Sequence, residues 1–238
     1  MKVKGRNAVR EALVSNTNIT KILASRSSKD KVFGEIIDMA NRKKVKVQFV
    51  DNKVLDAECA NHQGIIAITS DFEYCTVDDI LDVARVNNRS NFILILDGVE
   101  DPHNFGSIIR VAECLGVDGI IISKNRACPV TDTVAKVSAG AIEHIKIAKV
   151  TNINTEIERL KEQGVWVYAC ELGGEDLDKA DLSGNIAIVM GSEGKGVSRL
   201  TRELCDGVVT MQMYGKVNSL NVSVATGIVL YEAVRKRK

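Results

Sequence analysis

Hydrophobic and polar positions follow two different periods along this chain, and the change between them divides it. Up to about residue 70 short runs of both kinds alternate. GRNAVREALV (5–14) has helical spacing and ITKILAS (19–25) reads as a strand. KVFGEIIDMANRKK (31–44) reads as a helix with Val32, Ile36, Ile37 and Ala40 on one face. VKVQFV (45–50) is a strand, KVLDAECA (53–60) a short helix and GIIAIT (64–69) a strand. This is a compact α/β module, small but adequate for independent folding. In the stretch after it, Thr76 to Val86 has the spacing of a linking helix, and Asn87, Asn88, Arg89, Ser90 and Asn91 read as loop. The expected division is a first domain over 1–72, a linker over 73–90 and a second domain over 91–238.

From Phe92 the pattern becomes regular βα alternation. FILIL, GIIIS, HIKIAKV, VWVYACE, NIAIVMG and VVTMQM read as strands. Gly106 to Leu115, Thr131 to Ala139 and Asn154 to Gln163 read as helices. In a last helix Val222, Ala225, Thr226, Val229 and Ala233 recur at helical spacing before Arg235, Lys236, Arg237 and Lys238. Continuous apolar strands separated by helices predict a parallel sheet covered on both faces. In such sheets ligands gather at the carboxyl ends of the strands.

A chain of 238 residues with 45% hydrophobic and 26% charged side chains suits a soluble globular protein. No apolar run approaches the ~20 residues of a membrane span, and MKVKGRNAVREAL lacks the apolar core of a signal peptide, so a cytoplasmic protein without membrane contact is expected. Six cysteines without a CxxC pair and three separated histidines suggest neither a disulfide framework nor a metal site. The net charge of +1 hides an asymmetry: residues 1–53 hold 13 Lys and Arg against 5 Asp and Glu, or +8, which leaves −7 for the remainder. The basic module is either a site for a polyanion such as RNA or a solvated lysine-rich surface. With aromatic residues at only 4%, recognition by shape and backbone fits better than base stacking.

Three loops that follow strands carry unusual polar chemistry. After FILIL, Asp101, Pro102, His103 and Asn104 read as a tight turn, and Gly106 opens a helix that presents Arg110. Neither GxGxxG nor a Walker A lysine is present there. Asn104 and Arg110 are read as facing one cleft, or separately as a helix cap and a surface cation. After NIAIVMG, Gly191, Gly194 and Gly196 form a compact loop around Glu193 whose amides can approach a ligand. After VVTMQM, the cluster Asn218, Ser219 and Asn221 leads into the last helix, as caps or as functional groups.

Taken together and in order, NxGxxxR (104–110), MGxExxGV (190–197) and SLNVSxAxGIxLYE (219–232) resemble the SpoU (TrmH) family of RNA ribose 2'-O-methyltransferases, within the SPOUT superfamily. GRNAV and His62, Gln63 and Gly64 look like the substrate-binding module of the branch that includes the 23S rRNA guanosine 2'-O-methyltransferase. The resemblance implies an α/β chain with a ribosomal-protein-like amino-terminal module and a parallel-sheet SPOUT domain closed by a trefoil knot. It implies S-adenosylmethionine as cofactor near Gly191, Glu193, Gly196, Met211 and Leu220, no metal, and structured rRNA as partner of a homodimer. Asn104, Arg110, Glu193, Ser219 and Asn221 match the family's polar active-site set. Gln212 stands where the family usually has proline, which leaves that loop free of the ring's constraint.

The family's proposed base, Arg110, has no acceptor and a pKa above ~12, so substrate phosphate binding or alkoxide stabilisation suits it better than proton abstraction. Asn104 would position the ribose or Arg110. Ser219 and Asn221 would order the cofactor loop, and Glu193 would hold that loop closed or pair with Arg110. A tRNA methyltransferase and a non-catalytic RNA-binding or ribosome-assembly factor are the alternatives on the same scaffold.

Overall fold

The computed structural model of the chain describes residues 2–15, 19–28, 30–69, 72–216 and 219–237. It divides into two compact units, Met1–Glu73 and Tyr74–Lys238.

In the first unit the elements run β1 (Lys2–Lys4), α1 (Arg6–Val14), β2 (Ile19–Ser25), α2 (Lys31–Arg42), β3 (Lys46–Val50), α3 (Asn52–Glu58) and β4 (Ile65–Thr69). The sheet order is β1-β4-β2-β3, with β2 and β3 parallel and the other pairs antiparallel. Successive strand residues point to opposite faces. Ile22, Ala24, Ile65 and Ala67 therefore share a core with α1 and α2, while Leu23 and Ile66 share one with Leu55 of α3. β1 escapes the periodicity because it has three residues, two of them lysines. On α2 the buried stripe is Phe33, Ile36 and Ala40, whereas Val32 is 42% exposed. Asp30 is the N-cap and accepts the Phe33 N–H at 3.1 Å.

The second unit contains α4 (Val77–Val86), β5 (Phe92–Asp97), α5 (Pro102–Cys114), β6 (Gly119–Ser123), α6 (Asp132–Val137), β7 (Lys146–Val150), α7 (Ile153–Glu162), β8 (Trp166–Asp176), β9 (Ile186–Gly191), α8 (Arg199–Leu204), β10 (Gly207–Thr210) and α9 (Val222–Lys236). Its strands lie in the order β10-β8-β9-β5-β6-β7, all neighbours parallel. Ile93, Ile95, Ile121 and Val167 pack with Ile80 of α4 and Ile157 of α7. Leu94, Leu96 and Ile120, which alternate with them, and Ile188 of β9 are buried too, and α9 packs against β9 and α5. Burial on both faces is why these strands read as continuous apolar runs. α4, expected within a linker, contributes Val77, Ile80 and Leu81 to this core. No helix among the described residues is long and apolar enough to cross a membrane.

The end of α9 is held by Arg237, which donates to the carbonyls of Gly184 and Ser90, and by Lys236. Lys236 Nζ donates to the carbonyls of Leu177, Asp178 and Ala180 at 2.8, 2.7 and 2.7 Å, which fastens the segment after β8 to the last helix. Lys236→Met keeps the stem but strands three acceptors, so an expected loss of about 2 kcal/mol follows from charge-assisted hydrogen bonding. Thermal unfolding checks it, as a midpoint several degrees lower.

Candidate active site

The carboxyl ends of β5, β9 and β10 lead into the three loops. Asp97, the last residue of β5, accepts the Ser198 N–H at 2.8 Å and ties the first loop to the second. In the second loop Ser192 and Gly196 exchange backbone hydrogen bonds at 3.1 and 3.0 Å, leaving Glu193, Gly194 and Lys195 at the tip. The glycines there are required by close approach and backbone sign. A Cβ on Gly191 would stand 2.0 Å from the Gly196 carbonyl carbon, and Gly196 has φ +65.

Helix α5 begins at Pro102, with Asp101 as N-cap accepting the Asn104 N–H at 2.7 Å. The expected tight turn is thus the helix's first turn, as proline at N1 permits. This frees the Asn104 side chain, which donates to Glu193 Oε1 at 3.0 Å and accepts from Asn221 Nδ2 at 2.8 Å. The same Asn221 nitrogen donates to Glu193 Oε1 at 2.8 Å. Asn221 Oδ1 meanwhile caps α9, accepting the Ser223 and Val224 N–H groups at 3.0 and 3.4 Å. Capping and site formation are thus two ends of one amide. Three loops far apart in sequence meet in this closed set of bonds, with a carboxylate taking two donors.

The cluster stands between two clefts. The first, of about 580 Å³, is lined by Gly191, Glu193, Gly196, Met211, Ser219 and Leu220, together with Met190, Met213 and Val222. The second, of about 450 Å³, is lined by Gly98, Asp101, Asn104, Arg126, Glu193 and Lys195. Asn104, Glu193, Ser219 and Asn221 are therefore brought together, and so are all five positions expected to contact a cofactor. Asn218 lies outside the described residues.

Arg110 is not among them. It is exposed on α5, lines neither cleft and has no hydrogen-bond or ion-pair partner among the described residues. Six residues on one continuous helix put it about 120° around the axis from Asn104. Of the two readings of Arg110, facing one cleft with Asn104 or a surface cation, the described residues show the second, so the shared cleft is corrected. Glu193 likewise pairs with the two amides.

Gln212 has partners that the sequence did not disclose. Its Nε2 donates to Asp176 at 2.8 Å, and its Oε1 accepts the Tyr214 hydroxyl at 2.7 Å. The Gln212 amide, and then Lys179, hold the Asp176 carboxyl below its ordinary pKa. Side-chain bonds thus tie this loop to β8 and within itself. Cys170 also lines the first cleft, but burial, aided by Glu171, pushes its thiol up to about 11, so it is no nucleophile at neutral pH. Arg126 and Lys195 in the second cleft carried no sequence signal beyond charge.

Asn221→Ala removes the cap and both bridging bonds. The expected cost is about 1 kcal/mol of stability and a larger loss of ligand affinity in the first cleft, read by equilibrium titration beside thermal melting.

Fold and site together define a parallel α/β protein with two clefts of ligand size beside glycine-bearing loops at its strand ends. Residues 91–231 match the model of the SpoU rRNA Methylase family, and residues 2–75 that of RNA 2'-O ribose methyltransferase substrate binding. The chain belongs to the SpoU family of RNA methyltransferases. A Bacillus subtilis protein, by its name a TrmH family tRNA/rRNA methyltransferase, is 43% identical over 238 residues, covering 99% of this chain and 95% of that protein. A Staphylococcus saprophyticus protein named for the same family is 44% identical over 237 residues, with coverage of 99% and 95%. Among solved structures, the AdoMet-bound rRNA methyltransferase from Sinorhizobium meliloti aligns with TM-score 0.75 at 25% identity, over 98% of this chain and 86% of that one. The SpoU methyltransferase AviRb from Streptomyces viridochromogenes, in complex with AdoMet, aligns with TM-score 0.73 at 22% identity, over 99% and 90%.

Proposed function

We propose that this chain methylates a ribose 2'-hydroxyl of RNA with S-adenosylmethionine, and that its target is a guanosine of 23S rRNA. The observation that carries this reading is the Asn104–Glu193–Asn221 cluster between two clefts of ligand size. The first cleft suits the cofactor: thioether and aliphatic walls take an adenosine, and the backbone of Gly191 and Gly196 lines it. When bound there, S-adenosylmethionine supplies a methyl carbon already activated by its sulfonium.

The chain's own work is then alignment and charge. Asn104, Asn221 and Glu193 brace the three loops and offer polar atoms to the ribose. Ser219, on the wall of the first cleft, orders the cofactor loop. Arg110, which lines neither cleft of its own chain, holds a substrate phosphate and stabilises the emerging alkoxide in the site of a second copy across the dimer. The proton leaves to another acceptor, because a guanidinium has none to offer.

The rRNA substrate is favoured by the basic first module and by its match to a substrate-binding model. The relatives' names favour tRNA as the second reading. We also infer a cytoplasmic homodimer. Val224, Ile228 and Tyr231 form an exposed stripe on α9, 52%, 45% and 58% accessible, that a second copy would cover. The trefoil knot belongs to the same reading, supported by the insertion of β9 between β5 and β8.

The test is transfer of labelled methyl to unmodified 23S rRNA and bulk tRNA, side by side. Label on 23S rRNA is expected. Label on tRNA alone would keep the chemistry and overturn the substrate, and a monomeric mass by light scattering would overturn the dimer.

A further inference from the structure

The ladder between β8 and β10 breaks beside the first cleft. Val208 pairs with Ala169, but the next residue, Val209, pairs with Glu175, so residues 170–174 are left out of that pairing. Irregularities of this kind re-aim side chains next to functional sites. Here the excursion brings Cys170, Glu171 and Leu172 onto the wall of the first cleft. On its other side β8 pairs with β9 as far as Cys170 opposite Met190, which sets Glu171 beside Gly191 and the glycine loop.

Glu171 is the carboxylate of this excursion, and its position is tight. A Cβ on Gly196 would stand 2.7 Å from Glu171 Oε1, so the carboxylate lies close against the loop in the space that glycine leaves. Glu171 Oε2 is shielded from solvent and accepts no hydrogen bond among the described residues. Its nearest cation, Arg202 Nη1, is 3.7 Å away, too far for a hydrogen bond. A carboxylate so placed lacks a donor. An ionised carboxylate is acceptor-only and takes two donors side by side. A vicinal diol offers that pair. In doubly wound sheets an acid near a glycine-rich loop binds ribose hydroxyls in the same way.

We propose that Glu171 binds the ribose diol of the adenosine moiety in the first cleft, and is thereby a positioning residue for the cofactor. This rests on the reading of that cleft as the S-adenosylmethionine site. A purely structural Glu171 would serve only the Arg202 pair, and the two roles separate in binding experiments that need no RNA.

The test is equilibrium titration of the full chain and of Glu171→Gln with S-adenosylmethionine and with 5'-methylthioadenosine, which keeps the ribose and lacks the amino-acid group. Arg202→Gln serves as the structural comparison. Glu171→Gln is expected to weaken both ligands in parallel, by about tenfold or more, while Arg202→Gln leaves both within about twofold. Loss confined to S-adenosylmethionine would place the carboxylate on the ammonium and overturn the proposal. Equal loss in Arg202→Gln would overturn it in favour of a structural pair, and unchanged affinity in Glu171→Gln would overturn it alone. Failure of the unaltered chain to bind either ligand would overturn the cofactor reading as well.

Discussion

Arg110→Ala is expected to reduce methyl transfer by about 10²–10³-fold, the scale of one electrostatic stabiliser removed from a reacting centre, with folding and cofactor affinity unchanged. The structure supplies the second half of that expectation. Arg110 is exposed and has no partner among the described residues, so its truncation strands no buried group. Surface changes of this sort shift stability by less than about 0.5 kcal/mol. The first half rests on the NxGxxxR motif and on the demand for a cation where negative charge develops. Single-turnover assays beside cofactor titration separate the two effects. Undiminished turnover would remove Arg110 from the mechanism and leave Asn104, Glu193 and Asn221 to explain the chemistry.

Gly191→Ala is expected to lower S-adenosylmethionine affinity by about 100-fold or more, because its new Cβ would enter the backbone of the facing residue. The distances to the Gly196 carbonyl carbon and oxygen, 2.0 and 2.2 Å, leave no rotamer to relieve the clash. The loop holding Glu193 must shift, and its bonds to Asn104 and Asn221 go with it. Gly34→Ala is the comparison: it lies in α2 with nothing within 4 Å of its Cβ position. There a modest gain of about 0.5–1 kcal/mol is expected from helix propensity. Unchanged cofactor affinity in Gly191→Ala would move the cofactor away from this loop.

How legible these features are in the sequence depends on whether local pattern or tertiary contact decides them. Strands such as Phe92–Asp97 and Ile186–Gly191 are buried on both faces, and their unbroken apolar runs announce it. Lys2–Lys4 becomes a strand only by pairing with Ile66 to Ile68, which no local period records. The start of α5 turned on Asp101, whose side chain reads equally as a turn former and as a cap. The meeting of Asn104, Glu193 and Asn221 spans 117 residues and was legible only through the motif resemblance, since each residue taken singly reads as a cap or a surface group. Neither the partners of Gln212 nor the position of Glu171 carries a local sequence signal. Their roles follow from partners, Asp176 and Tyr214 for the one and the break in the β8–β10 ladder for the other.

Methyl transfer to a ribose oxygen, in one site formed by these loops, is the reaction proposed for the chain. It is tested most directly by digesting RNA to nucleosides after reaction with methyl-labelled S-adenosylmethionine. The expected result is label in a 2'-O-methylated nucleoside, guanosine foremost, and about 10²–10³-fold less of it when Arg110→Ala replaces the unaltered chain. Label on a base, or no transfer to any RNA by a chain that binds the cofactor, would contradict it.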